Sequence, residues 1–305
     1  MMAMATARCD APLEVVELAA GDWRVEVCPS LGGALTRVSW RGRPVLRDCG
    51  DEPVATRNVR RAACYPLVPY SNRIGGARFT FDGDTHALRA NFPGEPHAMH
   101  GFGWQRAWRV VALEHDRAVL RIDHDGDADW PYACAIEQRI DVAHDALRLE
   151  LVLTNVDERR APAGVGWHPY FPLTAQTRLR TVWRDVLLGA PDRLPAEVAS
   201  VPDSWRFEDA RALADVQVDH SFTGWDGDAT IVETDYCLEL ASDGMPAAVL
   251  FRPPGSAFFA FEPVSHSNNA LQFGDVAGTV PMNVLAPGES LHAAMTLNAY
   301  ASEQQ

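Results

Sequence analysis

The chain has 305 residues and a net charge of −14, with 47% hydrophobic and 22% charged residues, a globular balance that excludes disordered and collagen-like chains. All 27 basic residues are arginine, and the absence of lysine rules out a lysine Schiff base, a pyridoxal-phosphate lysine and a Walker A phosphate loop together. An acidic chain without a basic block also argues against nucleic acid or an anionic membrane as partner, because both need clustered cations.

Residues 1–12 hold no apolar stretch long enough for a signal peptide and are expected to form a poorly ordered extension. Cys9, Cys28, Cys49, Cys64, Cys134 and Cys237 are scattered with no CxxC pair, a pattern of reduced structural thiols rather than a zinc or disulfide framework. No run of 18 apolar residues occurs, so a soluble, cytoplasmic protein is expected.

Short alternating segments dominate from there on. Trp23, Val25 and Val27 are separated by Arg24 and Glu26, which predicts a strand. Phe79–Phe81 runs into the turn signal Asp82-Gly83, and Val119–Asp123 gives another strand. Ile136–Val142 and Leu147–Leu153 flank a four-residue turn and predict an antiparallel hairpin, with Leu147, Leu149, Leu151 and Leu153 on one face. Ser204 is an acceptable N-cap, so a short helix is expected through Leu213. Thr230–Val232 and Phe258–Phe261 add further strands. Glycines and prolines punctuate the whole length with no composition break. The expectation is one all-β domain over 1–305, built from antiparallel sheets.

Five places set polar or ionisable residues in unusual surroundings. In Tyr65 to Gly76, two prolines and two glycines fix an irregular path with Asn72 and Arg73 in its middle. Arg73 offers a planar fork of donors suited to hydroxyls or carboxylates, unless it is simply a surface arginine on a loop. His97-Ala98-Met99-His100 has metal-like spacing, but residues three apart on a strand face opposite sides, and Gly101 and Gly103 argue against a helix. His100 suits a pocket wall or a core histidine held by a backbone group.

His168 follows Trp167 and precedes Pro169, which forces it into an extended conformation. The aromatics Trp167, Tyr170 and Phe171 give it an apolar wall against which a sugar ring could stack, and partial desolvation suits it to acid–base work near neutrality. Asp219, beside His220, could accept hydroxyl hydrogen bonds or close a turn. Glu262 follows four apolar residues, among them Phe259 and Phe261, and precedes a proline. If it faces a cavity, desolvation raises its pKa and makes it a better base. No GxSxG elbow, no GxGxxG fingerprint and no pair of strongly placed carboxylates compete with this set.

In this order, Asn72-Arg73-Ile74, His100-Gly101-Phe102, Gly166-Trp167-His168-Pro169-Tyr170-Phe171, Asp219 and Phe261-Glu262-Pro263-Val264 resemble the aldose 1-epimerase (mutarotase) family. The resemblance runs from Pro29-Ser30-Leu31-Gly32-Gly33 to Leu285–Ser290, nearly the whole chain. It implies a β-supersandwich of large twisted antiparallel sheets with few short helices, a sugar as the partner molecule, and neither cofactor nor metal. It further implies that Glu262 is the base at the C1 hydroxyl and His168 the acid at the ring oxygen. His100 would assist beside that oxygen, while Arg73, Asp219 and Asn72 would hold the sugar. The Asp219-His220-Ser221-Phe222 context is similar to a shorter bacterial subgroup, acting as monomer or homodimer. Two other functions fit the same fold. A hexose-6-phosphate epimerase would need cations for the phosphate, with Arg60 and Arg61 available. A non-catalytic carbohydrate-binding or regulatory domain would not need Glu262, His168, His100 and Arg73 together.

Overall fold

The computed structural model describes residues 13–302, so the expected extension over 1–12 lies outside the described residues. Two large antiparallel sheets dominate. One has nine strands, ordered Arg109–Leu113, Arg117–His124, Cys134–Val142, Ala146–Asn155, Ser290–Ala301, Tyr236–Asp243, Asp228–Val232, Arg178–Thr181 and Phe207–Ala212. The other has eight. Its main path is Pro195–Ser200, Asp185–Gly189, Val218–Thr223, Ala247–Arg252, Phe258–Val264, Gly166–Trp167 and Pro66–Leu67. Tyr170–Pro172 also pairs with Phe258–Val264. A four-stranded sheet begins at Val16–Ala20 and includes the expected strand around Val25, observed as Trp23–Cys28.

Period-two patterning explains the core between the large sheets. The hairpin forms with Val142 opposite Leu147, and its leucines bury while Arg148 points out. Those leucines join Leu238, Leu240 and Leu297 of the same sheet, and Phe222, Leu250, Phe259 and Phe261 of the other, in one apolar cluster. Trp183 stacks on Phe222 with ring centroids 3.9 Å apart, filling the seam. Among the described residues, no helix is long and apolar enough to cross a membrane.

The helix expected from Ser204 to Leu213 is not formed. A single 3₁₀ turn spans Asp203–Trp205, and Phe207–Ala212 is the edge strand of the nine-stranded sheet, paired with Arg178–Thr181. The physical reason is tertiary. Phe207 and Leu213 both bury in the core while Glu208 and Asp209 stay outside, and only an extended segment reaches between those two anchors. The local N-cap signal loses to that burial.

Candidate active site

The site lies on the face of the eight-stranded sheet turned away from the main core. On Phe258–Val264 the even-numbered residues share this face, and Glu262 is among them. Phe259 and Phe261 point the other way, into the core. The surroundings expected for Glu262 are corrected accordingly. Its neighbours are Val249, directly opposite in register, and the rings that cap the cleft. Trp167 and Phe171 likewise belong to the core, so Tyr170 alone of the three expected aromatics walls the histidine.

His168 sits just past the Gly166–Trp167 strand, and its N–H donates to the Tyr65 carbonyl at 2.9 Å. Its Nε2 lies 3.2 Å from Glu262 Oε1, with both side chains almost fully enclosed. Tyr170 stacks on the imidazole at 4.4 Å and Tyr65 covers it at 4.9 Å. The Tyr170 hydroxyl is 3.5 Å from Nε2 and 3.2 Å from the Tyr65 hydroxyl. Beneath Tyr170, the Arg47 guanidinium stacks at 3.6 Å and donates to the Arg60 and Ala62 carbonyls.

Backbone geometry presents His100. Asn72 and His100 both adopt left-handed φ, 56° and 60°. The His100 N–H donates to the Asn72 carbonyl at 2.9 Å, and the Asn72 N–H donates to His100 Nδ1 at 3.0 Å. With Nδ1 committed as acceptor, the neutral ring carries its proton on Nε2, as a donor. The ring centroids of His100 and His168 are 5.5 Å apart. Gly101, at φ 65°, allows this approach, because a Cβ there would stand 2.0 Å from the Val68 carbonyl oxygen. Gly101→Ala should therefore lower stability by at least about 1–3 kcal/mol, read as a reduced Tm together with lost activity. The two histidines of the metal-like spacing turn to separate tasks. His97 Nδ1 accepts from Gly76 N–H, and its Nε2 meets the Asp192 carbonyl at 3.1 Å.

Arg73 is 7% exposed, which excludes the surface alternative. Its Nη2 donates to Glu95 Oε1 at 3.0 Å, its Nε to Glu95 Oε2 at 3.4 Å, and its Nη1 to Asn72 Oδ1 at 3.2 Å. Asp219 is exposed at the near end of Val218–Thr223 and lines the cleft. The cleft thus brings together all six residues singled out from the sequence: Glu262, His168, His100, Arg73, Asp219 and Asn72. Beside the expected Tyr170 it adds Tyr65, Phe92, Glu95 and Arg193, which sequence reasoning left without a role. Glu95 had a readable signal, a carboxylate fixed inside Pro93-Gly94-Glu95-Pro96.

Electrostatics follow from burial. Burial pushes the Glu262 carboxyl well above its ordinary value, Asp219 adding to the rise and Arg73 opposing it. Burial holds the His168 imidazole well below its ordinary value, with His100 and Arg47 adding. His100 is pulled down to about 3, again by burial first and Arg73 second. Glu95 is held below the usual carboxylate range, chiefly by its hydrogen bond from Arg73. Burial thus favours a carboxylic acid facing a neutral imidazole, and Glu262 Oε2 and His168 Nδ1 have no protein partner. Such a pair can pass one proton to and fro.

Residues 14–298 match the family model for aldose 1-epimerase. The chain belongs to the aldose 1-epimerase family. The uncharacterized protein YphB of Escherichia coli is 30% identical over 300 residues, covering 93% of this chain and 98% of that protein. A crystal structure of a candidate aldose 1-epimerase from Escherichia coli superposes with a TM-score of 0.86 at 28% identity, over 95% of this chain and all of that one. A galactose mutarotase-like protein from Clostridium acetobutylicum shares the fold, with a TM-score of 0.85 at 17% identity, over 95% of this chain and 96% of that one. The sheets described above are therefore the aldose 1-epimerase fold, as the sequence resemblance implied.

Proposed function

We propose that the protein interconverts the α and β anomers of a free aldohexose by opening and reclosing the ring. The observation that carries this is the buried Glu262–His168 pair at 3.2 Å, with His100 beside it in a cleft rich in hydrogen-bonding groups. Opening needs a base at the C1 hydroxyl and an acid at the ring oxygen, both within hydrogen-bond reach. Glu262 takes the O1 proton as His168 donates its own to O5. The C1–O5 bond breaks, C1=O1 forms, and O5 leaves as a hydroxyl. Rotation about C1–C2 presents the other carbonyl face. On closure O5 attacks C1, returns its proton to His168, and O1 recovers the proton from Glu262.

The chemistry needs carboxylate and imidazolium, the charged form that burial alone disfavours. Sugar supplies the difference, since an O1–H donated to the carboxylate and a ring oxygen accepting from the imidazolium each favour the charged partner. The neutral His100 Nε2–H adds a second donor toward the ring oxygen. Arg73, Asn72 and Asp219 hold the hydroxyls and fix which ring atoms face the pair. A binding domain has no need of a facing acid and base. Among the two arginines available for a phosphate, Arg60 lines the cleft, whereas Arg61 is committed to Glu52 at 2.9 Å.

Freshly dissolved α-galactose, α-glucose and their 6-phosphates, followed by optical rotation at low temperature, test the reading. Accelerated mutarotation of a free aldose is expected. Acceleration of the phosphates alone would move the substrate class, and no acceleration of any sugar would remove the enzyme reading. Arg73→Lys tests positioning. Lys lacks the planar fork that satisfies Glu95 and Asn72 together, so kcat/KM should fall about tenfold or more, mostly through KM. Unchanged KM and kcat would place Arg73 outside sugar binding.

A further inference from the structure

Arg47 stands behind the aromatic wall of His168. Its chain neighbours Val45 and Leu46 bury in the core, which draws Arg47 inward, and it is only 8% exposed. The Arg47 N–H donates to the Tyr170 carbonyl at 2.7 Å, tying its main chain to the Tyr170–Pro172 strand. Its guanidinium lies over the same residue, 3.6 Å from the Tyr170 ring centre and 4.8 Å from that of Phe258. His168 stacks on the Tyr170 ring at 4.4 Å. One ring face holds a single partner at such distances, so Arg47 and His168 take opposite faces of Tyr170. The surfaces agree. The cleft is lined by Tyr170 and His168 but not by Arg47, which lines a separate outer hollow with Phe258.

This cation differs from Arg73, which has Glu95 as its counter-ion. The Arg60 and Ala62 carbonyls hold Arg47, its Nε has no partner, and no carboxylate pairs with it among the described residues. A buried charge without a counter-ion is costly. A neutral donor would serve the same carbonyls at lower cost, so the charge itself needs an account. It stands at most roughly 8 Å from the His168 ring, across an aromatic side chain rather than water, where a unit charge is felt. Arg47 adds to the depression of His168, whereas the charges that act on Glu262 are Asp219 and Arg73.

The other groups nearby leave Arg47 as the fixed charge on this side. It faces the Tyr65 and Tyr170 hydroxyls, the Cys49 thiol and Arg61. Burial holds both tyrosine hydroxyls above their ordinary value, so they stay neutral while the pair titrates, and Arg61 is compensated by Glu52. His168 faces Glu262, the same two tyrosines and His100, which at about 3 is neutral when the enzyme works. We propose that Arg47 is a positioning residue for ring opening: it clamps Tyr170 against His168, and its fixed charge behind that ring drives the imidazolium proton onto the sugar's ring oxygen. This rests on the epimerase reading above.

The experiment follows mutarotation of α-glucose and α-galactose across the pH profile in wild-type protein, Arg47→Gln, Arg47→Met and Arg61→Gln, each beside a thermal melt. Gln keeps a donor for the carbonyls and Met keeps the packing on the rings, while both remove the charge. In either variant kcat should fall about tenfold with KM within about twofold, because the acid is weakened and Arg47 does not line the cleft. Both limbs of the profile should move to higher pH by at least about half a unit, since the lost cation no longer repels a second proton or favours loss of the last. Arg61→Gln removes one charge from an exposed pair and should leave both limbs in place. Limbs that stay put in a folded neutral variant overturn the proposal even where kcat falls, because a purely structural role gives that result. An equal shift in Arg61→Gln, or a loss confined to KM, overturns it too. If neither Arg47 variant folds, Arg47 belongs to the fold rather than to the reaction, and the proposal falls. In each of these cases wild-type turnover leaves the epimerase reading standing. No wild-type turnover of either sugar removes that reading and the proposal together.

Discussion

Glu262→Gln should lower turnover by at least ~100-fold, the usual scale for loss of a positioned general base. The amide keeps the shape of the carboxyl and can still accept a hydrogen bond from the sugar, so KM should change only modestly. The environment makes the change clean. Glu262 is enclosed, its Oε2 has no protein partner, and its register neighbour is Val249, so no structural ion pair is lost beyond the His168 contact. Steady-state mutarotation measured beside a thermal melt separates chemistry from folding. A variant with near-wild-type turnover would make Glu262 structural.

The second large effect concerns pH. The working pair holds one proton, whether written as carboxylate and imidazolium or as carboxylic acid and imidazole. Activity should fall at low pH, where the pair gains a second proton, and at high pH, where it loses its last. The kcat/KM profile is therefore bell-shaped, and its two limbs belong to the pair rather than to either residue. Burial of His168 resists addition of the second proton, and burial of Glu262 resists loss of the last one, so both shifts protect the one-proton form. In His168→Asn most activity should disappear, and the remainder depends on ionised Glu262 alone. The sign follows directly: residual activity rises with pH through the carboxyl's elevated pKa and does not fall again. The basic limb vanishes. If that limb persists unchanged in the variant, the acid must be reassigned, with His100 the first candidate.

The strands with strict alternation were legible because one face meets the core and the other solvent, as along Leu147 to Leu153. The helix expected after Ser204 failed because a cap motif is local, whereas the burial of Phe207 and Leu213 is set by a sheet edge assembled from distant segments. The six candidate residues sit on five separate segments, and their types already suggested acid, base and hydroxyl ligands. Their convergence was not readable from spacing. It depends on left-handed backbone at Asn72 and His100 and on register between strands far apart in the chain. The facing of aromatics was read wrongly for a related reason. Trp167 and Phe261 lie one residue, and Phe171 and Phe259 three residues, from His168 or Glu262, and an odd step along an extended chain means the opposite face.

Two-dimensional exchange NMR of an equilibrated aldose in D₂O tests ring opening by this pair most directly. Only hydroxyl protons move in the proposed reaction. Catalytic amounts of protein should therefore produce α/β anomeric cross peaks well above the uncatalysed exchange, while every carbon-bound proton, including that at C2, is retained. Glu262→Gln should return the exchange to near the uncatalysed level. Deuterium appearing at C2, or exchange equally fast in the variant, would contradict ring opening by Glu262 and His168.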